Sequence, residues 1–331
     1  MHPQDILADV RQFMKSRIIL TAAELDLFTA LAEGEAGAQE VASRKGLDEH
    51  ATARLLDSLV TFGLLSKDRG RYGLTQAGAC LSADNERSIL PMLHHMNHLW
   101  SNWSHLTQTV IQGDNPEREP ITALSPERRE AFIRAMHVVG RDLAFEVAEV
   151  FGPTSKRRLL DIGGGSGIYS IAFLRHNPHL HSVLFDLPGV IPLAEEHIRA
   201  EGLEDRVELV PGDFYEDELP TGCDMALLSA IIHQNGPQEN AQLYGKIKEA
   251  LEPGGILLIR DHIMDETRTK PAAGALFAVN MVVNTAHGDT YTFSEVHKGL
   301  EEAGFEDIRP LRTGRDSFEK MDCLVEAKKP A

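Results

Sequence analysis

The segment Leu159 to Gly167, LLDIGGGSG, runs from an apolar stretch holding one acid, Asp161, into Gly163, Gly164, Gly165 and Gly167. A helix-compatible IYSIAFLRH follows. That order reads as strand, tight turn, helix. Glycine suits such a turn because it tolerates positive φ and, lacking Cβ, lets a ligand approach the backbone and the start of the helix. Spacing decides which ligand. A dinucleotide fingerprint needs Gly-x-Gly-x-x-Gly, and counted from Gly163 its last position is Ile168; a phosphate loop needs a closing Gly-Lys-Ser/Thr that is absent. Both phosphate readings fail, and an acid inside the motif suits a ligand carrying a cation. A glycine turn serving only structure in some other α/β protein is the alternative.

The elements that must position this turn are legible downstream of it. From residue 157 apolar runs alternate with helical segments, the pattern of a parallel sheet with crossover helices. Seven strands are predicted, at 157–163, 181–187, 206–213, 224–232, 255–262, 305–312 and 322–328. The last two flank only TGRDSFEKM and should pair as an antiparallel hairpin. Upstream, residues 132–151 read as an amphipathic helix leading into the glycine turn.

The N-terminal third is different. Residues 4–31 are helical in pattern but too apolar for one exposed face, so they need a partner surface. Helices around 39–45 and 49–62, followed by two strands around Asp68 to Gly70, form a winged-helix pattern. DNA binding is disfavoured, because residues 48–62 carry only Arg54 as a base against Asp48, Glu49 and Asp57. A dimerisation module fits better. GDNPEREP, residues 113–120, is the best linker candidate and gives expected domains 1–112 and 113–331. His94, His95 and His98 have helical metal-ligand spacing, yet no acid or Cys accompanies them, so we read them with Trp100 and Trp103 as packing and expect no metal.

Composition bounds the rest. A chain of 331 residues, 42% hydrophobic, has room for about two domains and a substantial core. Lys+Arg 33 against Asp+Glu 50 gives 33 − 50 = −17, which disfavours nucleic acid and anionic membranes. Cys80, Cys223 and Cys323 lie far apart without a CxxC pair, so reduced thiols are expected. With no export signal and no apolar run of transmembrane length, the expected location is cytoplasmic.

Asp-x-Gly-x-Gly-x-Gly resembles the first motif of class I S-adenosylmethionine methyltransferases. The succession of a winged-helix domain, DIGGGSG, FDLPGV, PGDFYEDELP, ALLSAIIHQN, LEPGGILLIRDHIMDE and EEAGF resembles the small-molecule O-methyltransferase family over nearly the whole chain. That family includes plant phenolic, acetylserotonin and bacterial polyketide methyltransferases. The resemblance implies a Rossmann-like α/β fold with a seven-stranded sheet, an N-terminal winged-helix dimerisation domain and a homodimer. It implies S-adenosylmethionine as cofactor, held by Asp161, Gly163, Gly165, Asp186, Leu187, Asp213, Phe214 and Ser229. Asp186 would take the ribose hydroxyls and Asp213 the adenine amino group, with Leu187 and Phe214 on the ring faces.

His233 matches the family's catalytic histidine and Asp261 the acid that orients it. Phe132, Met136, Phe277, Asn280, Met281 and Asn284 would line the pocket for a small aromatic or polyketide-like acceptor. The chain departs from the family pattern in three places. Gln234, Asn235 and Gly236 stand where an aromatic usually follows the histidine, Ser229 where Lys is common, and Thr290 where the second acid falls. Asp289, one position off, is then the candidate second acid. A relative with bound cofactor and non-methylating chemistry is the alternative, and a noncatalytic winged-helix regulator a further one.

Overall fold

The computed structural model describes residues 2–119, 123–312 and 321–331. The chain divides into two compact units, Met1–Trp100 and Ser101–Ala331. The division precedes the expected boundary at 112/113, and side chains explain why. Asn102 Nδ2 donates to Asn284 Oδ1 at 2.6 Å and Trp103 Nε1 donates to Asn280 Oδ1 at 2.9 Å, so residues 101–112 are fastened to the second unit.

The first unit contains α1 (Pro3–Glu24), α2 (Leu27–Ala32), β1 (Ala36–Gly37), α3 (Ala38–Lys45), α4 (Glu49–Thr61), β2 (Leu65–Asp68), β3 (Arg71–Leu74), the single-turn α5 (Gln76–Ala79) and most of α6 (Leu90–Ser104). The helical pattern over 4–31 resolves into two helices, because Asp26 takes φ of +53°, a left-handed conformation that a short polar side chain tolerates. Asp48 starts α4 by accepting from the Ala51 N–H at 2.7 Å. β3 pairs antiparallel with both β1 and β2, which completes the winged-helix arrangement. Leu27, Phe28, Val41, Leu56, Leu59 and Tyr72 form its core. His95 is half-buried on α6, where the loss of solvent, with His98 beside it, pushes its imidazole down to about 4.

The second unit continues through α7 (Leu106–Gln112), α8 (Pro126–Phe151), β4 (Arg158–Ile162), α9 (Ile168–His176), β5 (His181–Asp186), α10 (Ile191–Ala200), β6 (Val207–Pro211) and β7 (Cys223–Ser229). After these come α11 (Pro237–Ala250), β8 (Leu251–Asp261), β9 (Ile263–Met264), α12 (Ala272–Asn284), β10 (Tyr291–Thr292), α13 (Phe293–Glu302), β11 (Glu306–Arg312) and β12 (Cys323–Lys328). All seven predicted strands form, in the order β11-β12-β8-β7-β4-β5-β6. β8, β7, β4, β5 and β6 run parallel, whereas β12 is antiparallel to both β8 and β11. Most of the turn joining β11 to β12 lies outside the described residues.

Alternation along the strands builds a core on each face. Leu160, Ile162, Val183 and Phe185 meet Leu243, Tyr244 and Ile247 of α11 and Leu300 of α13. Leu159, Leu184, Met225 and Leu227 meet Leu143 and Val147 of α8 and Phe173 of α9. Each such fully buried side chain contributes about 1.5–3 kcal/mol. The turns at the carboxyl ends of β4, β5, β7 and β8 are therefore carried on a rigid frame. No helix among the described residues is long and apolar enough to cross a membrane.

Candidate active site

The carboxyl ends of parallel strands are where ligands of such sheets bind, and the glycine turn leaves β4 there. Gly163 takes φ of +66°, and a Cβ on it would meet Ile231 Cδ1 at 2.8 Å and the Phe214 ring at 3.5 Å. A Cβ on Gly164 would stand 2.6 Å from Leu184 Cγ. The first glycine keeps the turn open toward Phe214 and the second lets it lie flat on the sheet. Asp161 lies behind this turn and is 1% exposed. Its Oδ2 accepts from the Ser170 hydroxyl at 2.7 Å. Burial pushes its carboxyl up to about 6, with Ser170 pulling the other way and Asp186 adding to the rise.

Asp186 closes β5 beside the turn. Its Oδ2 accepts from the Gly165 N–H at 2.7 Å and its Oδ1 from the Leu187 N–H at 2.7 Å. Burial raises it to about 6 against those two hydrogen bonds, and Asp213 adds to the rise. Leu187 and Phe132 pack on the cluster of Ile133, Val190 and Leu193, which brings the first half of α8 over the β5–α10 turn. Met136 is half-buried on the same helix. Asp213 Oδ1 accepts from the Tyr215 N–H at 2.9 Å.

The second cluster follows β7 and β8. His233 Nδ1 lies 2.9 Å from Asp261 Oδ1 and 3.0 Å from Oδ2, with the imidazole 12% exposed and the carboxylate fully buried. A carboxylate only accepts, so Nδ1 carries the proton and Nε2 keeps its lone pair. The His262 N–H also donates to Asp261 Oδ1 at 2.7 Å. Burial works against the Asp261 charge, but the His233 imidazole, with Arg260 and His262, holds its pKa below the usual value. Phe277 of α12 meets the His233 ring edge-on, centroids 4.8 Å apart, and the His262 ring at 5.1 Å. On the same helix Asn284 Nδ2 donates to Asn280 Oδ1 at 2.9 Å, and Met281 is buried.

Two expected site residues are engaged elsewhere. Asp289 pairs with Arg268 at 3.1 Å, its side chain 45% exposed, and Thr290 is buried behind it. Ser229 Oγ accepts from Arg260 Nε at 2.9 Å, a contact set by the pairing of these two residues across β7 and β8. Conversely, the sequence reading passed over residues that the fold brings in. His137 of α8 contacts Ser166 Oγ through Nδ1 at 2.9 Å, and its ring lies 4.4 Å from that of His197. Burial, then His197 with Arg141 and Arg134, push His137 down to about 4. One turn beyond it, Arg141 has a buried Nε with no hydrogen-bond partner among the described residues. The only sequence signal was a cation on the helix feeding the glycine turn.

A glycine turn, acids closing successive strands and an antiparallel final strand define a small-ligand enzyme of the Rossmann-like α/β class. A family model described as an O-methyltransferase domain matches residues 103–306, and one described as an O-methyltransferase dimerisation domain matches residues 9–84. The chain is 32% identical, over 90% of its length and 88% of the relative's, to a 3-hydroxy-5-methyl-1-naphthoate 3-O-methyltransferase of Streptomyces sahachiroi. It is 30% identical, over 99% of its length and 97% of the relative's, to the tetracenomycin polyketide synthesis 8-O-methyl transferase of Streptomyces glaucescens. The crystal structure of human N-acetylserotonin methyltransferase in complex with SAM superposes with a TM-score of 0.86 at 26% identity, covering 100% of this chain and 99% of that one. The chain belongs to the O-methyltransferase family and is a methyltransferase.

Proposed function

We propose that this enzyme transfers a methyl group from S-adenosylmethionine to a phenolic hydroxyl of a small aromatic or polyketide-like molecule, with His233 as general base. The His233–Asp261 pair at the carboxyl ends of β7 and β8 is the observation that carries this reading. The cofactor fits the other cluster. The open turn at Gly163 and Gly165 gives its chain room, Asp186 supplies acceptors for ribose hydroxyls, and Asp213 with Phe214 and Leu187 suits an adenine. Asp161 supports the turn from behind, and the buried Arg141 guanidinium, its Nε without a partner among the described residues, is suited to the cofactor's carboxylate.

When bound, S-adenosylmethionine supplies a methyl group on a positively charged sulfur. The protein's own task is the proton. A phenol holds its proton near pH 7, its reference being the tyrosine value of about 10. His233 Nε2 takes it, while Asp261 fixes the tautomer and stabilises the imidazolium. Phe277 packs edge-on against the ring, and beside it α12 is apolar but for Asn280 and Asn284, which bond to each other, to Trp103 and to Asn102. Asp289, tied to Arg268, stands outside this proton path. Incubating the enzyme with methyl-labelled cofactor and a panel of hydroxynaphthoates and hydroxylated polyketides tests the reading, and label should appear on oxygen. Cofactor binding without transfer to any of them would favour the non-methylating alternative.

The first unit is assigned as the homodimer contact. Ile6, Leu7, Val10, Phe13 and Met14 of α1 are 48–62% exposed along one helical face, and an apolar face of that size usually marks an interface. The match of residues 9–84 to a dimerisation domain supports a second copy of this chain as its occupant. Val10→Glu with Phe13→Glu should yield a monomer in light scattering with unchanged circular dichroism, since neither side chain belongs to the unit's core. A dimer surviving both substitutions would remove this assignment.

A further inference from the structure

Asn235, two residues after His233, is fully buried and has a defined partner for each polar atom that its neighbours reach. Its Oδ1 accepts from the Tyr215 hydroxyl and its main-chain oxygen from the Tyr291 hydroxyl. Its Nδ2 donates to Asn240 Oδ1 at 3.0 Å, and Asn240 Nδ2 donates at 2.9 Å to the carbonyl of Ile232, the residue before His233. The short turn that carries the imidazole is therefore gripped on both sides of His233.

The two tyrosines come from opposite directions. Tyr215 follows Phe214, their ring centroids 4.5 Å apart, in the loop that reaches the glycine turn. That loop is pinned to α11 by Lys246, whose Nζ donates to the carbonyls of Phe214, Tyr215 and Asp217 at 3.0, 2.8 and 3.0 Å. Tyr291 lies on β10 and pairs with Ile263 of β9, two residues beyond Asp261. One hydroxyl reaches Asn235 from the side assigned to adenine, the other from the side of the carboxylate. Tyr215 is 43% exposed, so apolar packing alone gives little reason for its hydroxyl to seek a buried amide.

We propose that Tyr215 and Tyr291 are positioning residues that act through Asn235 to hold His233 in register with Asp261, and that Tyr215 makes this register depend on occupancy of the Asp213–Phe214 loop. The inference rests on the assignment of that loop to the cofactor's adenine. Both contacts need the phenols as donors, because the Asn235 atoms they meet only accept. Burial above all pushes both hydroxyls up to about 12, so they stay protonated throughout the neutral range.

The test uses the full-length enzyme with its histidine rings carbon-13 labelled and the His233 resonance assigned from His233→Gln. Calorimetry with S-adenosylhomocysteine reports cofactor affinity. Adenosine, which lacks the amino-acid end of the cofactor, is the probe for the magnetic resonance titration. In the parent enzyme adenosine should shift the His233 signal. Tyr215→Phe should retain S-adenosylhomocysteine affinity and lose most of that shift, and Tyr291→Phe should move the His233 signal even without ligand. An equal shift in the parent and in Tyr215→Phe, or none in the parent despite binding, overturns the proposal while leaving the cofactor assignment intact. Failure of both adenosine and S-adenosylhomocysteine to bind overturns the two together.

Discussion

His233→Ala should lower kcat by about 10² to 10⁴, the span that a positioned general base supplies, while leaving affinity for S-adenosylmethionine intact. The imidazole is 2.9 Å from a fully buried carboxylate, and this arrangement fixes Nδ1 as the donor and leaves Nε2 for the acceptor's proton. Asp261→Asn keeps an oxygen for Nδ1–H but removes the charge that stabilises the imidazolium, so its loss should be smaller. The pH dependence of stability reports on the carboxylate. Asp261 has a folded pKa below its ordinary value, so the stability it contributes is present above about 3.9 and lost as pH falls through the lower folded value. Isotope transfer under single-turnover conditions, with cofactor affinity from calorimetry, measures both. A fully active His233→Ala enzyme would mean that positioning alone, or another chemistry, is at work.

What was legible in the sequence was what is locally encoded. The seven strands, the glycine turn and the winged-helix pattern follow from periodicity and turn residues, and these survive folding because each is a property of a few neighbouring residues. The positions of Asp186 and His233 followed from their places at strand ends. What was not legible was decided by distant partners. Asp289 is drawn to Arg268 and Ser229 to Arg260, each many residues away, so a motif position alone could not say where those polar groups would point. Asp161 reads in the sequence as an acid suited to a cationic ligand, and the partner that holds its carboxylate under the turn, Ser170 on the following helix, is set by the fold. The break with the family pattern after His233 is the sharpest case. Asn235 looked like a loss, and only the fold shows two tyrosines, 20 and 56 residues away in the chain, converging on it. The boundary at 112/113 followed the Pro and charge content of residues 113–120, whereas the compact units divide where Asn102 and Trp103 find their partners on α12.

Asp186→Ala should weaken S-adenosylmethionine binding by roughly 1.5 to 3 kcal/mol, the range for a hydrogen bond to a charged group. That is about 10- to 150-fold in Kd. The same residue should give the affinity a pH dependence of predictable sign. In the ligand-free protein burial raises Asp186 from 3.8 to about 6, so folding disfavours its ionised form. The stability it contributes is therefore greatest below 3.8 and declines as pH rises through about 6. Ribose hydroxyls donating to the carboxylate favour the ionised form, so binding should lower this pKa and release a proton. Affinity should consequently rise as pH is raised from about 5 to 7 and then level off. Asp186→Ala should be weak throughout and lose most of that slope. Asp161, raised to about 6 behind the turn, would contribute whatever slope remains. Calorimetry at several pH values in two buffers of different ionisation enthalpy reads both affinity and proton release. An Asp186→Ala protein that binds as tightly as its parent, or parent affinity that falls between pH 5 and 7, would show that the ribose lies elsewhere.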